Sequence, residues 1–186
     1  MDALEALRTR RTVSAFSPEA PPRDAVERAI EAATWAPNHH LTEPWRFHVL
    51  VGDARGELAA AIGATLPPEK ATEDERASVR SKLGRAPVLI AVTQVGTTDD
   101  PVRDLEDYAA CACATQNLLL AAHAEGLAAK WSTGKLAHSE GAKRYLGLAG
   151  HDRIVAYVYV GYAASLVTSE PRRGTPVVTW YGVVAD

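Results

Sequence analysis

A nearly uninterrupted apolar segment at residues 87–95 (PVLIAVTQV) places the strongest constraint on the fold. A run of this kind, without alternation, predicts a strand that is buried on both faces. Residues 153–160 (RIVAYVYV) alternate strongly and predict another strand. Shorter strands are predicted at residues 46–51 and 127–132. The longest helical pattern, residues 101–125, lies between these strands, so helices and strands alternate along the chain.

The other predicted helices follow from apolar residues at helical spacing. They cover residues 2–9, a segment from Arg23 to just before Pro37, residues 54–64, residues 69–83 and residues 138–146. The second of them ends before Pro37 because the residue that precedes a proline avoids the helical region. Asp53 is predicted to cap the third.

Two apolar surfaces are predicted to contact another helix or another subunit. In the longest helix, residues 109–114 (AACACA) are small, which lets a second helix approach closely. Val102, Leu105 and Leu119 belong to the apolar face predicted for the same helix. The C-terminal residues 176–184 are apolar and typical of a β-strand, yet no later element could cover them. We therefore expect this tail to pack on a partner subunit.

The composition is typical of one globular domain spanning residues 1–186. Hydrophobic residues make up 47% of the chain, enough for a large core without a disulfide or a metal. The formal net charge of −3 gives no overall positive field for nucleic acid or an anionic membrane. The sequence shows no apolar segment of membrane-spanning length and no signal peptide. Cys111 and Cys113 are expected to be buried or half-buried, a usage that fits a soluble protein of the reducing cytoplasm.

The segment RRTVS carries two guanidinium groups, of Arg10 and Arg11, beside the hydroxyls of Thr12 and Ser14. Guanidinium groups bind phosphate oxygens in pairs, and hydroxyls add neutral donors. A phosphomonoester carries about −1.5 to −2 charges at neutral pH, so more than one cation is useful. Taken alone, however, a solvated basic turn at a helix end is the better interpretation, because cations suit that end of the helix dipole.

A polar loop at residues 37–40 (PNHH) contains adjacent histidines. A metal site needs three or four converging ligands, and no H-E-x-x-H motif or equivalent is present, so no metal is predicted. His39 or Asn38 could instead donate a hydrogen bond to a polar aromatic ligand. A histidine satisfied by backbone groups is an equally good interpretation.

The segment at residues 130–134 (KWSTG) lies at the end of a predicted strand. Ligands often bind at strand ends, where backbone groups are free. Gly134 lets a ligand approach the backbone, and Trp131 offers a flat apolar face with one N–H donor. A tryptophan of the core followed by an ordinary turn explains the segment equally well.

Several families of enzymes are excluded by their missing motifs. The chain has no G-x-S-x-G nucleophile motif, no phosphate-binding P-loop and no cysteine paired with a histidine base. No G-x-G-x-x-G follows a first strand, so a Rossmann site for a nicotinamide cofactor is absent.

Four segments together resemble the motifs of the nitroreductase superfamily, in the same order along nearly the whole chain. They are residues 10–16 (RRTVSAF), 36–47 (APNHHLTEPWRF), 126–134 (GLAAKWSTG) and 154–161 (IVAYVYVG). The loop motif with a histidine at position 39 resembles that of one branch of the superfamily, the minimal NAD(P)H nitroreductases with short insertions. Position 14 departs from the pattern, because it is Ser where the broad motif usually has Arg. The group of residues expected to bind the phosphate therefore has one cation fewer.

The resemblance implies an α+β fold in which a central, mostly antiparallel sheet is flanked by helices. It also implies a homodimer whose extended C-terminal tails embrace the partner subunit. Two sites for flavin mononucleotide (FMN) would then be shared between the subunits, with NADPH or NADH as the electron donor.

The resemblance also assigns roles to residues of this sequence. One subunit would hold the phosphate and ribityl chain of FMN with Arg10, Arg11 and Thr12, and would line the flavin with Trp131, Ser132 and Thr133. His39 and Trp35 would reach the flavin of the other subunit, and Arg172 or Arg173 would add a phosphate contact.

The function implied is an FMN-dependent NAD(P)H oxidoreductase that works by a ping-pong scheme. Its electron acceptors would be nitroaromatics, quinones or activated alkenes, and the flavin rather than a protein acid or base would carry the chemistry. Two alternatives share the flavin. One is a specialised reductase or flavin-fragmenting enzyme of the same fold, and the other is a non-catalytic flavin-binding protein.

Overall fold

A computed structural model describes residues 1–97, 99–165, 174 and 176–182. The helices are α1 (Ala3–Thr9), α2 (Arg23–Ala33), α3 (Ala54–Ala64), α4 (Glu73–Leu83), α5 (Pro101–Ala124) and α6 (Glu140–Tyr145), with short 3-10 helices at Pro68–Lys70 and Lys135–His138. The strands are β1 (Trp45–Val51), β2 (Val88–Gln94), β3 (Ala128–Ser132) and β4 (Arg153–Gly161).

The four strands form one sheet in the order β1-β2-β4-β3, and every neighbouring pair is antiparallel. The two strands predicted from the strongest patterns, β2 and β4, occupy the centre of the sheet and are buried along almost their whole length. This confirms the α+β class with an antiparallel sheet flanked by helices.

Helices cover both faces of the sheet. On one face, α2 and α5 pack on side chains such as Ile90 and Val158. On the other face, α3, α4 and α6 pack on alternate side chains of the same strands, such as Leu89 and Tyr157. Alternation of side chains along a strand therefore supplies both cores from one sheet. None of the described helices is long and apolar enough to cross a membrane.

The apolar face predicted for α5 is partly wrong. Val102 and Leu105 are 68% and 66% exposed, and Cys113 is exposed as well. The prediction is confirmed at Leu119, and the buried positions of the helix are Asp107, Ala110, Cys111, Ala114, Thr115, Leu118, Leu119 and Ala122. The large apolar side chains of its first turns, Val102 and Leu105, lie outside the buried face.

Three local predictions also need correction. Asp53 precedes α3, but its side chain makes no capping hydrogen bond, because its backbone is already helical rather than extended. The helix predicted at residues 69–83 is split into the 3-10 helix at Pro68–Lys70 and α4. Helix α4 begins after Thr72, whose hydroxyl accepts a hydrogen bond from the backbone N–H of Glu75. Residues 176–182 lie exposed and form no strand within the described structure.

Candidate functional site

The segment Arg10–Thr12 is fixed between the end of α5 and the edge of the sheet. Directly before it, the hydroxyl of Thr9 lies 2.8 Å from Nε2 of His123, near the C-terminus of α5. Directly after it, the backbone N–H of Val13 donates to the carbonyl of Ala129 in β3 (3.2 Å). Thr12 forms a parallel bridge with the same residue.

The two guanidinium groups of this segment place two positive charges near His123. Arg10 and Arg11 are half-buried, and Nη1 of Arg11 donates to the carbonyls of Arg8 and Arg10, at 2.7 and 2.9 Å. The pKa of His123 is lowered by burial and, in addition, by Arg10 and Arg11. A bound anion would be favourable at such a place.

The segment Trp131–Thr133 continues the same strand. Trp131 and Ser132 are half-buried, Thr133 is exposed, and the backbone of Gly134 has a φ of +61°, which favours glycine. Trp131 lies two residues beyond Ala129, about 7 Å along a strand. The structure therefore brings the cationic segment and the Trp131–Thr133 segment together at the outer side of β3.

The loop after α2 carries Trp35 and His39 and lies elsewhere. Trp35 is 79% exposed, and its indole N–H donates to Oε1 of Glu31 (2.6 Å). His39 and its neighbour His40 are exposed in a turn. Two non-glycine residues of the loop, Leu41 and Glu43, have positive φ values of 51° and 44°. The loop is thus bent sharply, and Trp35, His39 and His40 are exposed on it.

Asp107 of α5 anchors this loop, and sequence reasoning did not single it out. Its side chain is buried, and Oδ1 accepts hydrogen bonds from the hydroxyl of Thr42 (2.6 Å) and the amide of Asn38 (3.3 Å). Asn38 in turn accepts from the backbone N–H of Glu43 (2.8 Å). Asp107 could have been singled out from the sequence, because a carboxylate on the buried face of a helix needs hydrogen-bond partners.

Replacing Asp107 with alanine should lower the free energy of unfolding by about 1–3 kcal/mol, since Thr42 and Asn38 then lose their acceptor. Equilibrium urea denaturation measures this change. Glu19→Ala, at an exposed position outside this loop, is the control and should stay within about 0.5 kcal/mol of the parent. Equal stability of both variants would show that Asp107 does not anchor the loop.

One protomer keeps the two groups of predicted site residues apart. The loop with Trp35 and His39 contacts α5 at residues 106 and 107, whereas Arg10 and Arg11 lie near residue 123. A helix rises about 1.5 Å per residue, so residues 106 and 123 are about 25 Å apart. The predicted contacts of Arg172 and Arg173 lie outside the described residues.

Comparisons with known proteins agree with this fold. The model of the nitroreductase family matches residues 7–162. YdjA of Escherichia coli K12, provisionally named an NAD(P)H nitroreductase, is 30% identical over 97% of this chain and all of its own length. The chain belongs to the nitroreductase family.

Solved structures extend the comparison. A nitroreductase-like family protein from Bacillus cereus is 26% identical, with a TM-score of 0.84, over 94% of this chain and 92% of its own. A protein from Desulfovibrio desulfuricans, provisionally named a nitroreductase and solved in complex with FMN, is 26% identical with a TM-score of 0.71. The match covers 93% of each chain.

Proposed function

We propose that this protein is an FMN-dependent NAD(P)H oxidoreductase that reduces small oxidised organic molecules. The observation that carries the proposal is the placement of Arg10–Thr12 against β3, beside Trp131–Thr133. Family membership and the FMN found in the Desulfovibrio structure identify the ligand class that such a surface would bind. Residues 1–186 would form one domain of a cytoplasmic protein. Each such domain would contribute residues to an FMN site shared with a second subunit.

The donors present fit FMN in two parts. Two guanidinium groups and the hydroxyl of Thr12 suit a phosphate, because their bonds to a phosphate are charge-assisted. The strand end with Trp131, Ser132 and Thr133 suits a flat ring system that has an apolar face and polar edges. Burial is the main cause of the lowered pKa of His123, and the smaller contribution of Arg10 and Arg11 indicates that both cations lie near it.

A second subunit would complete each site. In a two-fold dimer with antiparallel α5 helices, residue 106 of one helix lies opposite residue 123 of the other, which brings His39 and Trp35 to the partner's flavin. An exposed apolar face supports this packing. Its members are Leu4 (60% exposed), Leu7 (54%), Val102 (68%), Leu105 (66%) and the small Ala109 and Cys113.

The C-terminal tail would strengthen the dimer. Val177, Trp180 and Tyr181 are 100%, 75% and 93% exposed. Because permanent exposure of so much apolar surface to water is unfavourable, we expect a partner to cover it. Within the described part of the chain, no strand pairs with the outer side of β1. A groove of about 950 Å³ beside Val49 and Val51 of that strand could receive the partner's tail. Arg173, which belongs to the tail, would add a contact to the phosphate of FMN.

Bound FMN would supply the redox chemistry, taking a hydride from NAD(P)H and passing the electrons to an acceptor. Residues of the chain itself would bind and orient the FMN. Arg10, Arg11 and Thr12 would fix the phosphate end, and Trp131–Thr133 would hold the ring with one face open. Donor and acceptor would use that open face in turn, which is why no Rossmann motif is needed. Nitroaromatics, quinones and activated alkenes are the acceptors we propose.

The test is spectroscopic. Protein purified without added flavin, or after incubation with FMN, should show flavin absorption that NADH or NADPH bleaches anaerobically and that a nitroaromatic or quinone restores. A protein that does not bind FMN would overturn the whole proposal. Bound flavin that neither nicotinamide reduces would instead indicate a non-catalytic flavin-binding protein. Turnover confined to one narrow class of acceptor would indicate a specialised reductase.

A further inference from the structure

Three side chains that could bind a metal converge at the first turns of α5. Among the described residues, His39, His40 and Glu106 form a group whose ligand atoms all lie within 4.8 Å of one another. Nε2 of His40 is 3.1 Å from Oε2 of Glu106, and the two imidazole rings have centroids 4.4 Å apart. No spacing motif contains these residues, because Glu106 is 66 positions further along the chain.

The convergence has a structural cause. His39 and His40 are adjacent residues of a turn, and directly after them the backbone bends sharply at Leu41, whose φ is 51°. The hydrogen bonds of Asn38 and Thr42 to the buried Asp107 hold this bent loop against α5. Because Glu106 precedes Asp107, the anchoring of the loop sets the histidines beside the carboxylate. The arrangement therefore has buried support although its three members are exposed.

We propose that His39, His40 and Glu106 bind a divalent transition-metal ion, with Zn²⁺ as the representative ion. Two imidazoles and one carboxylate, with water in a fourth position, are a common zinc set. Zinc–ligand bonds of about 2.1 Å place tetrahedral ligands about 3.4 Å apart. Small rotations of three exposed side chains close the remaining gap. Mg²⁺ and Ca²⁺ prefer oxygen ligands and are not expected to bind here.

A bound ion would also affect the flavin site. In the dimer His39 reaches the partner's flavin, so an ion that holds its imidazole against Glu106 removes it from that contact. This consequence rests on the proposed function, whereas the metal site itself does not. The loop would then couple the availability of transition metals to the binding of FMN.

The first experiment measures metal binding alone. ZnCl2 is titrated by calorimetry into the full-length protein, freed of metal by a chelator, and into three variants. His40→Gln and Glu106→Gln each remove one ligand, and His138→Gln removes an exposed histidine elsewhere. One ion per chain should bind the parent and His138→Gln equally. Affinity should fall at least about tenfold in the other two variants, because loss of an outer-shell partner alone costs that much.

Two results would overturn the site. Zinc that binds all four proteins equally must occupy other groups, and the absence of saturable binding would show that the trio does not close on an ion. Binding of MgCl2 with the same affinity and the same variant dependence would contradict the assigned ligand chemistry. Far-ultraviolet circular dichroism verifies that the variants are folded.

The second experiment follows the flavin directly. Zn²⁺ at saturation should weaken FMN binding, measured by flavin fluorescence, in the parent and His138→Gln but not in Glu106→Gln. Equal weakening in Glu106→Gln would overturn the coupling. If FMN binds no variant at all, the proposed function fails while the calorimetric result on the metal still stands.

Discussion

Arg10→Ala should weaken FMN binding by about 10- to 150-fold. A charge-assisted hydrogen bond contributes about 1.5–3 kcal/mol, and each 1.4 kcal/mol corresponds to a factor of ten in the dissociation constant. Arg10 caps α1 through its backbone and is half-buried, and its charge adds to the effect of burial in lowering the pKa of His123. Equilibrium dialysis or fluorescence titration of the apoprotein with FMN measures the loss.

Riboflavin provides the matched ligand for this test, because it lacks the phosphate. Its affinity should be nearly the same in Arg10→Ala and the parent. Arg144→Ala, which removes an exposed arginine from α6, is the control variant and should bind FMN as the parent does. Equal FMN affinity in Arg10→Ala and the parent would refute the placement of the phosphate. An equal loss for riboflavin would mean that Arg10 supports the ring or the fold instead.

Arg11 is expected to differ from Arg10 in one respect. Its guanidinium group already donates to the carbonyls of Arg8 and Arg10, at the C-terminal end of α1. Removing this side chain therefore also removes hydrogen bonds that close the helix. Arg11→Ala should weaken FMN binding in the same range while also lowering the stability of the protein slightly.

The sequence predicted the strands and most helices because their signals are local. Residues 87–95 and 153–160 have patterns that only buried strands explain well, and both became central strands. The orientation of α5 was not predictable in the same way. Val102 and Leu105 fit an apolar period, but which face a long helix buries depends on the sheet and the neighbouring α2.

The candidate site shows the same division. Arg10–Thr12 and residues 130–134 could each be singled out from residue types, and the parallel bridge of Thr12 with Ala129 then placed them together. The contacts of Asp107 with Thr42 and of Glu106 with His40 span more than 60 positions. Pairings over such separations follow from the tertiary fold, so no local pattern could indicate them.

Distance along α5 also changes how the site must be understood. The resemblance assigns His39 and Arg10 to one flavin site, yet within a protomer they lie near residues 106 and 123 of α5, which are about 25 Å apart. If these residues bind one flavin, as we propose, the site must lie between two subunits. The exposed apolar face of α1 and α5 is the surface that we propose for this interface.

Ala109→Arg should convert the dimer into monomers that no longer retain FMN. Ala109 is exposed in the small-residue segment of α5, where two helices would approach closely. Overpacking costs about 1–3 kcal/mol per site, and a two-fold interface contains the substitution twice, so the dimer loses about 2–6 kcal/mol. The dimer dissociation constant should rise by at least about 30-fold.

Sedimentation velocity with detection of both protein and flavin absorption measures assembly and FMN content together. Ala77→Arg, which makes the same substitution at an exposed position of α4, is the control and should leave both unchanged. FMN should sediment only with the dimer, because we propose that Trp35 and His39 of one subunit contact the flavin of the other. A monomeric Ala109→Arg protein with full flavin content would contradict the shared site, since Arg10–Thr12 and Trp131–Thr133 would then suffice.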